Sequence, residues 1–94
     1  MSYVDPPPAD AVLVRYWAGA RAAAGRAEDV VPAGMLDEVL GAALAHHGGN
    51  ARLHSIVAIC SVLVGADPVG SRDFATVPVP AGSVVELLPP FAGG

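Results

Sequence analysis

One amphipathic helix determines how this chain can be organised. Between residues 35 and 47, apolar residues recur every three or four positions and so fall on one helical stripe. The stripe consists of Leu36, Val39, Leu40, Ala43, Leu44 and His47. Residues 48–50, Gly-Gly-Asn, predict the end of the helix. A single main helix covers one face of a sheet, so the expected fold class is α+β, with the other apolar segments forming a mixed sheet.

Four further segments rich in branched apolar residues are predicted to be strands. They are residues 11–18 (AVLVRYWA), 27–31, 58–64 and 83–88. The first two are expected to pair as a hairpin, with one helical turn at 19–26 that Gly25 ends. The third is expected to be buried, at least in part, on both faces. With a weak pairing expected at 67–69, the element order is ββ-α-ββ.

The alternation of side chains along the strands, together with the helical stripe, predicts the hydrophobic core. Its predicted members are Val12, Val14, Tyr16, Val30, Leu36, Val39, Leu40, Ala43, Leu44, Ile59, Val62, Val64, Val85 and Leu87. Leu13 and Trp17 fall on the opposite face of the first strand, which the helix does not cover. An uncovered apolar patch usually marks an interface, so a partner is expected to dock there. The alternative is that residues 1–10 or 69–76 fold over this face.

Composition excludes several classes of function. The chain has 94 residues, enough for one domain, and is 53% hydrophobic and 15% charged, which is a globular composition. The net charge is −4 and no basic cluster occurs, so nucleic-acid binding is not expected. The longest apolar run, residues 56–64, is far shorter than the roughly 20 residues that span a bilayer. With no signal-peptide pattern and a single cysteine, the protein is expected in the cytoplasm, away from membranes.

The residue types that most often carry chemistry have structural explanations here. Cys60 falls within an apolar segment, where a buried structural cysteine is expected rather than a nucleophile. Adjacent His46 and His47 would point about 100° apart on a helix, and no Cys or Glu completes a ligand set with them, so no metal site is predicted. The carboxylate pairs at 28–29 and 37–38 are explained by a hairpin edge and a first helical turn.

The segment that closes the sequence, LPPFAGG, is the strongest candidate for function. Pro89 and Pro90 fix φ, favour an extended path and stop the last strand from continuing. Six residues follow Leu88, and they reach roughly 20 Å when extended. The α-carboxylate of Gly94 is therefore expected to be held away from the body of the domain on a semi-rigid arm.

The tip of this arm suits a narrow pocket. Gly93 and Gly94 carry no Cβ, and with Ala92 they make the end of the arm thin enough to thread into an enzyme. Phe91 is an aromatic residue that can anchor the arm on a partner, together with the two prolines before it.

Several of these segments together resemble a known family. The strand VLVRYWA, the following ARAAAG, the helix after a short hairpin and the ending ELLPPFAGG are similar to the MoaD/ThiS sulfur carriers, most of all to the small subunit of molybdopterin synthase. The resemblance covers residues 11–94, and the terminal motif is its specific part. It implies a ubiquitin-like β-grasp fold, in agreement with the element order above. The Pro89-Pro90 pair and the ARAAAG segment favour the molybdopterin branch.

The resemblance also implies a chemistry for the arm. The carboxylate of Gly94 would be adenylated with ATP by an E1-like activating enzyme and then converted to a thiocarboxylate by a persulfide sulfur donor. The carrier would deliver this sulfur to molybdopterin or, in other branches, to thiazole or cysteine synthesis. Such a chain binds no cofactor tightly and is not an enzyme alone, but the cosubstrate of a larger catalytic subunit. The rival hypothesis is a ubiquitin-like module that only docks, or that is conjugated through Gly94.

Sequence and resemblance together predict the domain organisation. Residues 1–10 form a loose Pro-rich tail, residues 11–88 the β-grasp domain and residues 89–94 the diglycine arm. The tail and residues 69–76 depart from the pattern of the family, so the partner and the pathway stay open at this point.

Overall fold

Short strands and three helices succeed one another along residues 10–90, the part of the chain that the computed structural model describes. The strands are β1 (Ala11–Tyr16), β2 (Glu28–Pro32), β3 (Gly34–Met35), β4 (Ser61–Val64), β5 (Asp67–Pro68), β6 (Pro78–Val79) and β7 (Val84–Leu88). The helices are α1 (Ala18–Ala24), α2 (Leu36–Ala45) and α3 (Ala51–Val57), with a 3-10 helix at Phe74–Thr76. None of these helices is long and apolar enough to cross a membrane. Residues 1–9 of the predicted tail and the arm residues Phe91, Ala92, Gly93 and Gly94 lie outside the described residues.

The last strand of the chain lies in the middle of the main sheet. The five strands are ordered β2-β1-β7-β4-β5, with β1 and β7 parallel and all other neighbours antiparallel. Strands β3 and β6 form a separate two-stranded sheet. The predicted α+β class with a mixed sheet is confirmed, and so are the hairpin of β1 with β2 and the short pairing that involves β5.

Local hydrogen bonds set the end of α1 and the start of α2. The N–H of Gly25 donates to the carbonyl of Arg21 at 2.9 Å, and Gly25 has a φ of +76°, in the left-handed region that favours glycine. At the start of α2, Oε1 of Glu38 accepts from the N–H of Met35 at 2.9 Å. Gly34 keeps this cap open, because a Cβ there would lie only 2.9 Å from Oε1 of Glu38.

The core lies between the main sheet and the helices. Its buried members are Val12, Val14, Tyr16, Ala20, Val31, Leu36, Val39, Leu40, Ala43, Leu53, Val62, Val69, Val77, Val79, Val85 and Leu87. Leu40 is among them, so the predicted inner face of the main helix is confirmed. Val69 belongs to this core and Phe74 packs against it, so residues 69–76 lie on the helix side of the sheet rather than over its other face.

The predicted strand at 58–64 begins only at Ser61, because α3 extends to Val57 and residues 58–60 connect it to the strand through a turn. Asn50 caps the start of α3, since its Oδ1 accepts from the N–H of Leu53 at 3.0 Å. Leu53 is fully buried and Ile56 packs against the core beside it, so burial overrides the β propensity of this segment. The main helix α2 is accompanied by two helices of seven residues each.

Two residues predicted for the core are exposed instead. Ile59 lies between α3 and β4 and is 62% exposed. Val30 is 45% exposed, because in β2 it is Asp29 and Val31 that face the core. Side chains alternate along a strand, so an error of one residue in the register inverts the two faces.

Replacement of Leu40 by Ala tests the core. We expect Leu40→Ala to lower the free energy of unfolding by about 2–5 kcal/mol, because it leaves a cavity under α2. The exposed Ile59 provides the matched control, and Ile59→Ala should change the same quantity by no more than about 0.5 kcal/mol. Urea unfolding followed by circular dichroism measures both variants. Equal losses for the two would contradict the packing described here.

Candidate functional site at the end of the last strand

The candidate arm begins at the end of a strand that has neighbours on both sides. Leu87 is opposite Tyr16 of β1, and Leu88 is opposite Ser61 of β4. The strand ends at Leu88, and the next residue, Pro89, has no N–H to continue the ladder. Pro89 is half-buried and Pro90 is exposed. The first two residues of the arm therefore leave the sheet from its middle.

The predicted roles at the tip of the arm stay predictions. Phe91, Ala92, Gly93 and Gly94 lie outside the described residues, so the structure locates the base of the arm through Pro90. The structure describes the surface around the base of the arm at Pro89 and Pro90.

Two exposed apolar side chains lie at the same end of the sheet as the base of the arm. The N–H of Trp17 donates to the carbonyl of Leu87 at 3.2 Å, which ties Trp17 to the last strand. The Trp17 side chain is 41% exposed, and its Nε1 donates to Oε1 of Glu86 at 2.9 Å. On the other side of β7, exposed Ile59 comes just before β4, whose first residue pairs with Leu88.

The sheet face away from the helices carries an apolar row. Leu13 pairs with Val30 on one side and with Val84 on the other, so the three side chains share this face. Leu13 is buried although it does not belong to the core on the helix side. Leu13 lies on the face away from the helices as predicted, but the expectation that it is part of an uncovered patch is wrong, because Leu13 itself is buried and Val30 is the exposed side chain of this row.

A charged row crosses the same face one step closer to the arm. Arg15 pairs with Glu28 of β2 and with Glu86 of β7. Its guanidinium lies 3.8 Å from Oε2 of Glu28 and 3.6 Å from Oε1 of Glu86. Glu86 thus contacts both Arg15 and Trp17. These partly exposed ion pairs add little stability in isolation; Glu86 connects them to Trp17 by accepting the hydrogen bond from its Nε1.

Cys60 is not placed as a nucleophile. Burial raises the pKa of the Cys60 thiol, which keeps it protonated at neutral pH. Its Sγ lies 3.3 Å from the carbonyl oxygen of Ile56, to which it donates. Cys60 precedes β4 rather than lying within it, and it is half-buried at the edge of the core.

A buried carboxylate cluster was not predicted from the sequence. Asp29 faces the core from β2, and Oδ2 accepts from the hydroxyl of Tyr16 at 2.7 Å. Nε2 of His47 lies 2.6 Å from the same oxygen. Oδ1 lies 3.1 Å from Nη1 of Arg26 and 3.4 Å from Nδ1 of His46. A carboxylate only accepts hydrogen bonds, so Tyr16 and the two histidines serve as its donors, and Arg26 forms an ion pair with it.

Folding changes the acidity of two members of this cluster. Burial by itself would raise the pKa of Asp29, but the hydrogen bonds from Tyr16 and His47 and the charge of Arg26 outweigh it and hold this pKa below its ordinary value. Burial, and then the hydrogen bond to Asp29, raise the pKa of Tyr16. The cluster therefore holds an ionised carboxylate beside a neutral phenol at neutral pH.

The two histidines converge because the helix ends before them. α2 stops at Ala45, and the N–H groups of His46 and His47 donate to the carbonyls of Ala43 and Leu44 in tighter i→i−3 turns; both rings lie within 3.4 Å of Asp29. The sequence would indicate this cluster only if the register of β2 were known, because that register places Asp29 on the same inward face as Val31. Within residues 10–90, no three His, Cys, Asp or Glu side chains are arranged to hold a metal ion.

The arrangement as a whole defines a class of protein. The first and last strands lie parallel in the centre of a mixed five-stranded sheet, and the helices cover one face. This is the ubiquitin-like β-grasp, so the predicted fold class is confirmed. No protein-family model matches the chain, and no curated protein matches it.

Three solved structures share this fold. SAMP1 from Haloferax volcanii has a TM-score of 0.72 at 20% identity, over 89% of this chain and 99% of that one. The complex of subunits 1 and 2 of molybdopterin-converting factor from Helicobacter pylori 26695 contains a chain with a TM-score of 0.62 at 23% identity, over 89% and 99%. The HVO 2177 protein of Haloferax volcanii has a TM-score of 0.64 at 19% identity, over 89% and 86%. At these identities the likeness establishes the fold.

Acid should remove the stability that Asp29 contributes. Because folding lowers the pKa of Asp29, its contribution is present above the ordinary value of 3.8 and is lost as the pH falls through the lower value of the folded protein. The melting temperature should therefore fall below about pH 4. Asp29→Asn should melt lower at neutral pH and show a flatter profile in acid.

Thermal melts from neutral to acidic pH, followed by circular dichroism, measure this dependence. Asp67, which is exposed in β5, provides the control, and Asp67→Asn should keep the wild-type profile. If Asp29→Asn lost stability in acid as steeply as the wild type, another carboxylate would be responsible.

Proposed function

We propose that this chain is a sulfur carrier in molybdopterin biosynthesis, with the carboxylate of Gly94 as the group that carries sulfur. The observation that supports the proposal most directly is the position of the last strand. β7 lies in the centre of a β-grasp sheet and continues into Pro89 and Pro90, so the following residues are presented from a firmly anchored base. The solved structures of the same fold include a subunit of molybdopterin-converting factor.

The proposed chemistry converts a poor electrophile into a sulfur donor. The Gly94 carboxylate attacks ATP, pyrophosphate leaves, and a mixed anhydride with AMP forms. The terminal sulfur of a persulfide then attacks the acyl carbon and displaces AMP. A thiol cleaves the sulfur–sulfur bond of the resulting acyl disulfide, which leaves a thiocarboxylate on the carrier. The sulfur of the thiocarboxylate then attacks the acceptor to form a thioester, and water hydrolyses the acyl–sulfur bond, which leaves the sulfur on the acceptor and returns the carboxylate.

The described side chains fit a carrier that supplies no catalytic group. The Cys60 thiol is held protonated and the Asp29 carboxylate is fully engaged by donors of the same chain. The reaction therefore takes its catalytic groups from partners: an E1-like adenylating enzyme that uses ATP, a persulfide donor, and the larger subunit of molybdopterin synthase. Thiazole synthesis and cysteine synthesis are the alternative pathways that would receive the sulfur. The expected location of the protein is the cytoplasm.

The geometry of the arm specifies where these partners dock. Four residues follow Pro90, and they reach at most about 14 Å, so an active site that acts on Gly94 must come that close to Pro90. The exposed side chain of Trp17, whose N–H is bonded to Leu87 near the base of the arm, is therefore included in the proposed docking surface. The sheet face that carries the exposed side chains of Trp17 and Val30, with the charged row of Arg15 between them, is the surface proposed for the larger subunit.

Changes at Gly94 test the carrier mechanism. We expect that deleting Gly94, or adding one residue after it, abolishes sulfur transfer because the reacting carboxylate is lost or displaced. The fold should be retained, since the described core ends at Leu87. One residue added before Met1 is the matched control and should leave transfer unchanged. The measurement is intact mass after incubation with the activating enzyme, ATP and a persulfide donor.

The mass of the products decides between the hypotheses. A gain equal to the difference between sulfur and oxygen at the C-terminus supports the carrier. A covalent adduct between Gly94 and a lysine of a partner would support conjugation instead. If the variant extended after Gly94 transferred sulfur at the wild-type rate without being trimmed, the proposed mechanism would be wrong.

Substitutions around the arm test the docking surface. Phe91→Ala and Trp17→Ala should each weaken binding to the larger subunit by about 1–3 kcal/mol, because aromatic anchors dominate interfaces of this kind. Met35→Ala is the control, since Met35 is an exposed apolar residue of β3, outside the main sheet. Calorimetric titration measures the affinities. Equal affinity for wild type and Trp17→Ala would show that Trp17 is not part of the interface. If the wild type did not bind, the proposed complex would be wrong.

A further inference from the structure

Asp29 joins three parts of the fold that are distant in sequence. Tyr16 approaches it from the end of β1, Arg26 from the loop before β2, and His46 and His47 from the segment after α2. We propose that this cluster is a charge-dependent latch that holds the C-terminal end of β1, and with it the base of the arm, against the end of α2. The proposal concerns the fold and does not depend on the carrier function.

The latch is connected to the arm through two backbone hydrogen bonds. The N–H of Tyr16 donates to the carbonyl of Ala27 at 2.8 Å, and the N–H of the next residue, Trp17, donates to the carbonyl of Leu87 at 3.2 Å. The side chain of Tyr16 is thus hydrogen-bonded to Asp29, and the backbone of the next residue, Trp17, is hydrogen-bonded to Leu87 in β7. Release of the Tyr16 side chain would loosen this end of β1 and the end of β7 together.

The charge of Asp29 makes the latch strong only while its donors are in place. Its side chain is almost fully buried, so an ionised carboxylate there is stable only when it is paired. Tyr16 and His47 share Oδ2, and both are buried, so water does not easily replace either one. If either Tyr16 or His47 is removed, the charge of Asp29 is incompletely paired. The contribution of each hydrogen bond to stability therefore depends on whether the other is present.

The four groups around Asp29 are not equivalent. The side chain of His47 is 5% exposed and lies 2.6 Å from Asp29, whereas the side chain of His46 is 43% exposed and lies 3.4 Å away. Arg26 is also partly exposed, so water can take over its role. His47 and Tyr16 are therefore the donors that close the latch, and His46 is the natural control for His47.

Amide hydrogen exchange of the full chain, measured by NMR, separates a local latch from a contribution to overall stability. The amides of Tyr16 and Trp17 report on the latched end of β1. The amides of Leu13, bonded to Ser83 at 3.0 Å, and of Gly65, bonded to Val84 at 2.8 Å, report on the opposite end of β1 and β7. The measured quantity is the ratio of protection at the two ends, which cancels the direct effect of pH on exchange.

Four variants address the latch. His47→Leu should lower the protection of Tyr16 and Trp17 by about tenfold or more relative to Leu13 and Gly65, because a buried charge loses a donor. His46→Leu should change this ratio much less. Tyr16→Phe keeps the aromatic ring, removes only the hydroxyl, and should act in the same direction as His47→Leu. These variants decide the question even if Asp29→Asn does not fold.

The pH profile distinguishes a charge-dependent latch from packing alone. In the wild type, the protection ratio should fall below about pH 4 as Asp29 becomes protonated. In Asp29→Asn the ratio should stay flat across the same range. Equal loss of protection at both ends in His47→Leu and Tyr16→Phe would overturn the proposal, and so would an Asp29→Asn profile that falls like that of the wild type.

Discussion

The parallel pairing of β1 with β7 is the contact on which the rest of this structure depends. It joins the first and last strands in the centre of the sheet, where Val14 lies opposite Val85 and both are fully buried. The pairing spans most of the chain, so the sheet closes only after the loop-closure entropy of the intervening residues has been overcome. Because the last strand is central, the residues after Leu88 extend from the most constrained part of the fold.

This central position leads to an unequal use of the two sheet faces. All three helices contribute to the core on one side, where Ala20, Leu40 and Leu53 lie in one cluster with Val14 and Val85 of the sheet. The other side carries an apolar row around Leu13 and a charged row around Arg15, with Trp17 partly exposed beside the base of the arm. One face thus stabilises the domain, while the other combines apolar area with fixed charges, a composition suited to a partner.

The sequence predicts the elements whose pattern is local and strong. The stripe that contains Leu40 identifies α2, and the alternation in 11–18 identifies β1. The helix α3 is missed because its branched residues have β propensity, and only the burial of Leu53 against the core, a tertiary contact, decides for the helix. Val30, which was predicted to be buried, is exposed for a similar reason. The register of β2 is set by its pairing with β1 and not by its own sequence.

The base of the candidate arm is predictable, whereas the buried cluster is not. Two prolines after an apolar strand locate the end of β7 from the sequence alone, because proline lacks the N–H that the ladder requires. Asp29 gives no such signal, since a carboxylate in a hairpin normally faces water. Its burial becomes favourable only when β1 supplies Tyr16 and the end of α2 supplies His47. A polar group placed in this way favours one arrangement of strand and helix over alternatives in which its charge would be unpaired.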